Sequence, residues 1–151
     1  MMRIQTDSVL RWAINNVATF RNNPCGPHRK FNTFDVNSCP QEVLAIKDII
    51  VNQFELHDAQ QEPIFKDFCG FITEGGYVHK HKDPNQGQLI HTRFNVMVSK
   101  PVEGGVAVID GQEVSVEEGE VWRCDAGICE HWTTPVIGSK PRIILSFGFL
   151  L

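Results

Sequence analysis

The sequence of 151 residues has the length of one ordinary domain and suffices to bury a hydrophobic core without disulfides or structural metals. A formal net charge of -4 at pH 7 gives no broad electrostatic reason to expect a nucleic acid or an anionic membrane as partner. The cysteines are odd in number and include no Cys-x-x-Cys pair, which argues against a disulfide framework and a zinc ribbon. We interpret Cys25, Cys39, Cys69, Cys124 and Cys129 as reduced thiols, mostly buried.

The N-terminal stretch lacks the uninterrupted apolar run of a signal peptide, because Arg11, Asn15 and Asn16 interrupt the only candidate. No later segment is long and apolar enough to span a bilayer. We therefore expect a cytoplasmic protein made of a single domain, residues 1–151. Within it, we expect residues 1–64 to form a helical N-terminal support and residues 65–151 to form the core.

Two helices are predicted in the first third of the chain. The first has Asp7 or Ser8 available as a cap and one apolar face, made of Val9, Leu10, Trp12, Ala13, Val17 and Phe20. The run Pro24-Cys25-Gly26-Pro27 ends it. Ser38-Cys39-Pro40-Gln41 then predicts a capping box for a second helix. The buried side of that helix is predicted to consist of Leu44, Ile46, Ile49, Ile50, Val51 and Phe54.

From about residue 65 the sequence changes to short apolar runs rich in Val, Ile and Phe, separated by Gly and Asp, which is typical of β-structure. Eight strands are predicted, near residues 65–73, 77–82, 92–99, 106–109, 113–116, 121–124, 130–135 and 142–149. Asp110-Gly111 predicts a tight type I′ hairpin turn, and Gly104-Gly105 and Glu118-Gly119 mark further reversals. Antiparallel strands that follow the helices favour a mainly β, jelly-roll-like barrel with an N-terminal helical layer.

The second predicted strand carries the first indication of a metal. Alternate side chains of a strand point the same way, so His79, His81 and Asp83 would share one face. Imidazole and carboxylate side by side can supply adjacent ligands, and a further imidazole completes a 2-His-1-carboxylate triad that leaves positions open on Fe(II). His131 is the best candidate for that third ligand. Taken alone, however, a His-x-Asp tripeptide is common by accident, and a His-rich strand beside lysines is more often a solvated edge.

The sequence downstream makes the pattern more specific. Asp125-Ala126-Gly127-Ile128-Cys129-Glu130-His131-Trp132 is followed, after a short loop, by Lys140-Pro141-Arg142-Ile143-Ile144-Leu145-Ser146-Phe147. His-x-Asp, a distal His and an Arg that opens the last core strand occur in this order, which resembles the iron(II)- and 2-oxoglutarate-dependent oxygenases. Arg93-Phe94-Asn95, Gly104-Gly105, the 125–131 stretch and Arg142-Ile143 resemble their aspartyl/asparaginyl β-hydroxylase branch, and Gly75-Gly76-Tyr77 before His81-Lys82-Asp83 is similar to prolyl 4-hydroxylases.

This resemblance covers about the last half of the chain and implies a double-stranded β-helix, a jelly-roll or cupin-like barrel, with N-terminal helices packed on it. It implies a hydroxylase that uses Fe(II), 2-oxoglutarate and O2, acts on a peptidyl side chain or a small metabolite, and releases succinate and CO2. The implied metal ligands are His81, Asp83 and His131. Arg142 would bind the distal carboxylate of 2-oxoglutarate, since a guanidinium presents a planar fork to a carboxylate.

Four further cosubstrate contacts follow from the resemblance. Arg93 and Asn95 would lie on one strand face and either contact the carboxylate of 2-oxoglutarate nearest the metal or belong to an ordinary buried hydrogen-bond network, and the hydroxylase branch has His where this chain has Asn95. Ser146 shares the strand parity of Arg142, whereas the family often has Ser at the position of Ile144. Tyr77 either donates a hydrogen bond to the cosubstrate or, as we favour, belongs to the core.

Two alternatives remain open at this point. His79-Lys80-His81 also resembles the His-x-His pair of cupins, metalloenzymes that need neither 2-oxoglutarate nor Arg142. A metal-free jelly-roll binding module would use the same barrel for a sugar or a peptide. We expect the remaining aromatic and imidazole side chains to pack in the structure or lie on its surface. These are Trp122, Trp132, His28, His57 and His91.

Overall fold

The computed structural model describes residues 3–24, 26–35 and 37–151, so Cys25 lies outside the described residues. Within them the chain forms two α-helices, α1 (Asp7–Asn16) and α2 (Gln41–Gln53). It also forms twelve strands: β1 (Arg21–Asn22), β2 (Arg29–Phe34), β3 (Gln60–Gln61), β4 (Asp67–Ile72), β5 (His91–Ser99), β6 (Glu103–Gly104), β7 (Ala107–Ile109), β8 (Gln112–Val114), β9 (Val121–Cys124), β10 (His131–Thr133), β11 (Val136–Ile137) and β12 (Arg142–Leu150).

The strands form one large antiparallel sheet and smaller pieces opposite it. The large sheet has the order β1-β2-β4-β12-β5-β9, and β3 pairs with the end of β12. A second sheet has the order β10-β7-β8, and β6 pairs with β11. A cavity lies between the large sheet and the second sheet, and strands of both contribute to its lining. The prediction of a mainly β barrel of the double-stranded β-helix type is therefore confirmed.

Side-chain alternation gives the large sheet two different faces. Phe94, Val96, Leu145 and Phe147 are buried against the helices in the main hydrophobic core. The residues between them in β5 and β12, such as Asn95, point to the opposite face and line the cavity. The sheet thus separates the packed core from the cavity.

The helices supply the outer layer of this core. Their apolar residues recur at helical spacing and are buried on one side, namely Val9 and Ala13 in α1 and Val43, Ile46 and Ile50 in α2. Thr6 and Pro40 occupy the N-cap positions, and neither makes a side-chain cap hydrogen bond, so the predicted caps are wrong. In the described part of the chain, neither helix has the length and hydropathy needed to cross a membrane.

The strand predictions differ from the structure in several places. The short strands β6 and β11, which pair with each other, are not among the predicted strands. The segment predicted as a strand near 77–82 forms no regular strand. It contacts β10 through the isolated bridge between His81 and His131 and through hydrogen bonds between Val78 and Thr133, one from the Thr133 N–H to the Val78 carbonyl and one from the Val78 N–H to the Thr133 hydroxyl. Residues 1–64 contain strands as well as helices. In particular, β2 pairs along its whole length with β4 and extends the large sheet beyond the predicted core.

The turn prediction at Asp110-Gly111 is confirmed. Both residues have positive φ, 49° and 80°, and the flanking residues Ile109 and Gln112 pair directly. This is the backbone that a two-residue type I′ turn requires.

The described cysteines are unpaired thiols, as predicted. Cys69 and Cys124 are buried, whereas Cys39 and Cys129 are partly exposed. Burial raises the pKa of Cys69 to about 12, so its thiol stays protonated and unreactive at neutral pH.

Removal of one core ring tests this packing. Phe94 is 1% exposed, and its ring centroid lies 4.7 Å from that of Phe54 and 5.9 Å from that of Phe149. We expect Phe94→Ala to lower the free energy of unfolding by about 3–5 kcal/mol, measured by chemical denaturation, since it leaves a cavity at the sheet–helix interface. The control Ile14→Ala removes a side chain that is 54% exposed and should change it by about 0.5 kcal/mol or less. Equal effects of the two substitutions would contradict the assigned core.

Candidate metal centre

Three side chains able to ligate a metal meet on the cavity wall. The ligand atoms of His81, Asp83 and His131 all lie within 4.8 Å of one another. Nε2 of His81 is 3.3 Å from Oδ1 of Asp83, and Nε2 of His131 is 3.7 Å from Oδ2 of Asp83. Such spacings allow one ion to contact all three, since metal–nitrogen and metal–oxygen bonds are about 2.0–2.2 Å long. In the part of the chain that the structure describes, no other three His, Cys, Asp or Glu side chains form such a group.

Backbone hydrogen bonds bring the ligands together. The His81 N–H donates to the His131 carbonyl at 3.1 Å, and the His131 N–H donates to the His81 carbonyl at 2.9 Å. Residues that exchange both bonds are directly opposite, so the two imidazoles project side by side, with ring centroids 4.2 Å apart. The Asp83 N–H donates to the Ala126 carbonyl at 2.8 Å. Segments distant in sequence are therefore joined at the ligands themselves.

Further hydrogen bonds set the tautomer of each imidazole. Nδ1 of His81 lies 2.7 Å from the His79 carbonyl, and Nδ1 of His131 lies 2.9 Å from the Cys129 carbonyl. A carbonyl oxygen can only accept, so each Nδ1 carries the hydrogen. In the neutral rings, Nε2 then presents its lone pair toward Asp83, in the position that a metal ligand needs.

The three ligands also tune one another's pKa. The hydrogen bond to Asp83 raises the pKa of His81, whereas burial lowers the pKa of His131. Burial opposes ionisation of Asp83, but the His81 hydrogen bond and the charges of both histidines hold its pKa below the ordinary value. The lowered pKa values keep Asp83 ionised and His131 neutral at neutral pH, and the raised pKa makes His81 the ligand whose proton competes most with an incoming metal.

The cavity beside these ligands has a volume of about 640 Å³. Arg93, Asn95, Arg142 and Ser146 line it together with the triad, so the structure brings these predicted residues to one place. Tyr77 is 43% exposed and is not among the lining residues. The prediction that Tyr77 belongs to the core is wrong, and its contact with a cosubstrate stays a prediction.

Arg142 offers the cavity a buried positive charge. It is 3% exposed, its Nε–H donates to the Gly105 carbonyl at 2.9 Å, and its guanidinium lies 5.8 Å from the centroid of the Trp122 ring. Burial, and after it the charge of Arg29, lower the pKa of Arg142 to about 10, so it is still a cation at neutral pH. No carboxylate of the described residues forms an ion pair with Arg142, which makes it suited to an anionic ligand.

Sequence reasoning missed a buried carboxylate near the cavity, Glu62. This residue is 1% exposed and accepts backbone hydrogen bonds from Ile64 at 2.5 Å, Phe65 at 2.9 Å and Lys66 at 3.0 Å. Its Oε2 also lies 3.3 Å from Nη1 of Arg93. Glu62 lies in a turn with no motif around it, so no local signal could have identified it.

Arg93 is held by several protein groups at once. Its Nε–H donates to Oγ of Ser146 at 2.7 Å, its Nη1–H donates to Nε2 of His91 at 3.0 Å, and Nη2 donates to the Lys66 carbonyl. Since Arg only donates, Nε2 of His91 accepts, and burial followed by the Arg93 charge lowers the pKa of His91. His91 is thus a neutral, fully buried member of this network, which agrees with its expected structural role.

Comparisons with known proteins agree with this architecture. No protein-family model and no curated protein matches the sequence. Among solved structures, HygX from Streptomyces hygroscopicus, with nickel, 2-oxoglutarate and hygromycin B bound, is similar with a TM-score of 0.69 and 11% identity over 99% of this chain and 81% of that chain. A Pseudomonas putida prolyl-4-hydroxylase has a TM-score of 0.62 and 18% identity over 95% and 83%. The viral collagen prolyl hydroxylase of Paramecium Bursaria Chlorella virus-1, in complex with 2-oxoglutarate, has a TM-score of 0.65 and 13% identity over 96% and 87%. These likenesses establish the fold.

The ion pair between Glu62 and Arg93 should matter strongly for stability. Glu62→Gln keeps the side-chain shape but leaves the Arg93 charge buried and unpaired, and we expect the free energy of unfolding to fall by about 3–5 kcal/mol. Chemical denaturation measures this, with the exposed Glu113→Gln as a control expected to show little change. The double variant Glu62→Gln with Arg93→Met should recover part of the loss. If Glu62→Gln lowers the free energy of unfolding no more than the control does, the ion pair does not stabilise the protein.

Metal affinity should weaken as pH falls, because each ligand must be deprotonated. The pKa of His81 is raised, so its proton begins to compete above pH 6.5, and affinity should then drop about tenfold per pH unit. The pKa of His131 is lowered, so its proton adds to the slope only at lower pH. Anaerobic Fe(II) titrations at several pH values measure this, and His57→Ala serves as a control that should bind normally. An affinity independent of pH would show that these imidazoles do not bind the ion.

Proposed function

We propose that the chain is an iron(II)- and 2-oxoglutarate-dependent oxygenase that hydroxylates a peptidyl side chain or a small metabolite and releases succinate and CO2. The observation that carries this proposal is the convergence of His81, Asp83 and His131 on the wall of a cavity that Arg142 also lines. Each part fits one requirement of that chemistry. The triad suits the metal, and the buried guanidinium suits a carboxylate of the cosubstrate.

The donor set fits ferrous iron. Two imidazole nitrogens and one carboxylate oxygen form the 2-His-1-carboxylate set, which occupies one face of the ion and leaves the other positions open. Hydrogen bonds to the His79 and Cys129 carbonyls keep the two Nε2 atoms turned toward that ion. When bound, the iron and 2-oxoglutarate supply the oxygen activation. The protein holds them in place and shelters the reacting groups from water.

Arg142 is the residue we assign to the distal carboxylate of 2-oxoglutarate. Its planar guanidinium binds a carboxylate through two parallel hydrogen bonds, and its buried position strengthens such an ion pair. Of the other predicted contacts, Asn95 is the best placed, because it lines the cavity and carries amide donors. Arg93 and Ser146 are bonded to each other and to the Glu62 network, so we assign them to support of the cavity wall.

The structural neighbours support the same proposal. HygX binds nickel and 2-oxoglutarate in its crystal structure, and the viral collagen prolyl hydroxylase binds 2-oxoglutarate. Both share the fold over nearly the whole of this chain. The cupin alternative would require His79 as a ligand, whereas the triad consists of His81, Asp83 and His131, and His79 contributes its backbone carbonyl to the site.

Ordered addition of ligands tests the proposal. Under anaerobic conditions, Fe(II) followed by 2-oxoglutarate should produce a visible absorption band that requires both, and O2 should then yield succinate. We expect His131→Ala to lose iron binding. Arg142→Ala should keep iron but bind 2-oxoglutarate about 10–100-fold more weakly, since it loses charge-assisted hydrogen bonds.

The exposed Arg123→Ala is the matched control and should behave like the unsubstituted protein. If neither 2-oxoglutarate nor the Arg142→Ala substitution affects the bound iron, the result would favour a cupin-type metalloenzyme. A protein that binds no iron at all would instead be a metal-free binding module.

A further inference from the structure

Three segments that are distant along the chain meet beside the candidate metal ligands. The first continues from Asp83, the second is the beginning of β5 at His91, and the third is the turn that precedes His131. Asn85 belongs to the first segment, two residues after Asp83, and its side-chain amide contacts both of the others. This one side chain therefore joins the surroundings of two ligands to the large sheet.

The amide of Asn85 takes part in a closed ring of hydrogen bonds. Its Oδ1 accepts from the His91 N–H at 3.0 Å, and its Nδ2 donates to the Gly127 carbonyl at 3.2 Å. The Gly127 N–H in turn donates to the His91 carbonyl at 3.0 Å, which closes the ring. The position needs one acceptor and one donor at the end of a short side chain, and Asn supplies both. We refer to these three bonds as the Asn85 ring.

The Asn85 ring is anchored on the large sheet through His91. This residue is fully buried and pairs with Leu150 of β12. The residue before it, Ile90, exchanges two backbone hydrogen bonds with Leu151, at 2.7 and 3.0 Å. Asn85 itself is exposed, so the ring ties an exposed residue to a part of the fold that packing and strand pairing already fix.

Gly127 has no side chain exactly where the amide of Asn85 lies. A Cβ atom on Gly127 would be 1.5 Å from Oδ1 and 2.6 Å from Cγ of Asn85, so the two cannot occupy the site together. Gly127 is not among the glycines with positive φ. The position therefore needs glycine for the room that it leaves, and any other residue there would displace the amide.

The ring adds a second connection next to one that involves a ligand directly. The Asp83 N–H donates to the Ala126 carbonyl at 2.8 Å, and Asn85 Nδ2 donates to the carbonyl of the next residue, Gly127. A single hydrogen bond leaves a segment free to rotate about it. Two adjacent bonds between the same two segments remove that freedom, so the backbone of Asp83 is held in one orientation.

We propose that Asn85 is a positioning residue for the candidate metal centre, which acts through Gly127 and His91 to hold Asp83 where its carboxylate reaches the ion. This inference rests on the proposed function, since it assumes that Asp83 binds a metal. Without the ring, the arrangement with all ligands in place is one of several that the segment adopts. The apparent metal affinity then falls in proportion to the fraction of molecules that remain in that arrangement.

Two substitutions that remove the ring in different ways provide the test. Asn85→Ala deletes the amide, whereas Gly127→Ala leaves residue 85 intact and displaces its amide. The double variant combines them. The matched control is Asn16→Ala, which deletes an amide that donates to the Trp12 carbonyl at 2.8 Å in α1. The fold of each variant is checked by chemical denaturation.

Two quantities are measured on each variant. The first is the hydrogen exchange rate of the Asp83 N–H in the metal-free protein, relative to that of the buried Val96 N–H in β5, which reports any global loss of stability. The second is the affinity for Fe(II), from anaerobic titration. The exchange rate reports the position of Asp83 without a metal, and the affinity reports its effect on binding.

We expect each single substitution to accelerate exchange at Asp83 relative to Val96 and to weaken Fe(II) binding about tenfold, the lower end of the effect of residues that orient metal ligands. The double variant should lose no more than either single variant, because both substitutions remove the same ring. Asn16→Ala should change neither quantity.

Three results would overturn the inference. One is an unchanged Fe(II) affinity in both single variants, which would leave Asn85 a structural role at most. Another is an unchanged relative exchange rate at Asp83. The third is a double variant that shows the sum of two separate losses. If the unsubstituted protein binds no Fe(II) while exchange at Asp83 still depends on Asn85, the proposed function fails and the ring retains its effect on Asp83, so the two failures are distinguishable.

Discussion

The pair of backbone hydrogen bonds between His81 and His131 is the interaction on which the rest of the site depends. Together with the Val78–Thr133 hydrogen bonds, it joins an irregular extended segment to β10, and it sets the two imidazoles side by side. The carbonyls of His79 and Cys129, each two residues before a ligand, then orient the rings. Asp83 is held beside the two imidazoles because its own N–H donates a hydrogen bond to the Ala126 carbonyl. The ligand geometry is therefore built from main-chain contacts, and the side chains need only be of the right type.

The large sheet imposes a second constraint through its alternation. In β12, Arg142, Ile144 and Ser146 line the cavity, while Ile143 and Leu145 are fully buried in the core. A shift of one residue in the pairing register of β12 would turn the guanidinium of Arg142 toward the helices and turn the core side chains toward the cavity. Apolar packing against α1 and α2 therefore fixes not only the fold but also the direction in which the polar residues point.

Much of the site could be predicted from sequence because its signals are local. His81 and Asp83 are two residues apart, His131 lies in a motif of its own, and Asp110-Gly111 encodes its turn directly. The resemblance to the oxygenase motifs, in the order and spacing of these residues, then indicated that the separate segments belong to one site. Burial of Arg93 and Asn95 on the cavity side likewise followed from strand alternation.

The rest could not be predicted, because it depends on pairing between distant segments. Strand β2 has no strong alternation, and only its partner β4 makes it part of the sheet. The segment 77–82 has the sequence of a strand, but its contacts with β10 are one isolated bridge and two hydrogen bonds between Val78 and Thr133, one of which involves the threonine hydroxyl. Glu62 is buried where three backbone N–H groups donate to it and where Arg93, far along the chain, supplies the opposite charge. Neither the hydropathy nor the periodicity of a sequence shows which distant residue will pair with a given strand or charge.

The position of β1 and β2 at the margin of the large sheet has one more consequence. This hairpin pairs with a single neighbour, β4, and supplies none of the metal-binding side chains. Its residues could therefore diverge, lengthen or shorten while the three candidate ligands kept their geometry. In such an arrangement, one edge of the cavity wall and the group of candidate metal ligands are encoded in separate parts of one small protein, so that selection could alter the first and preserve the second.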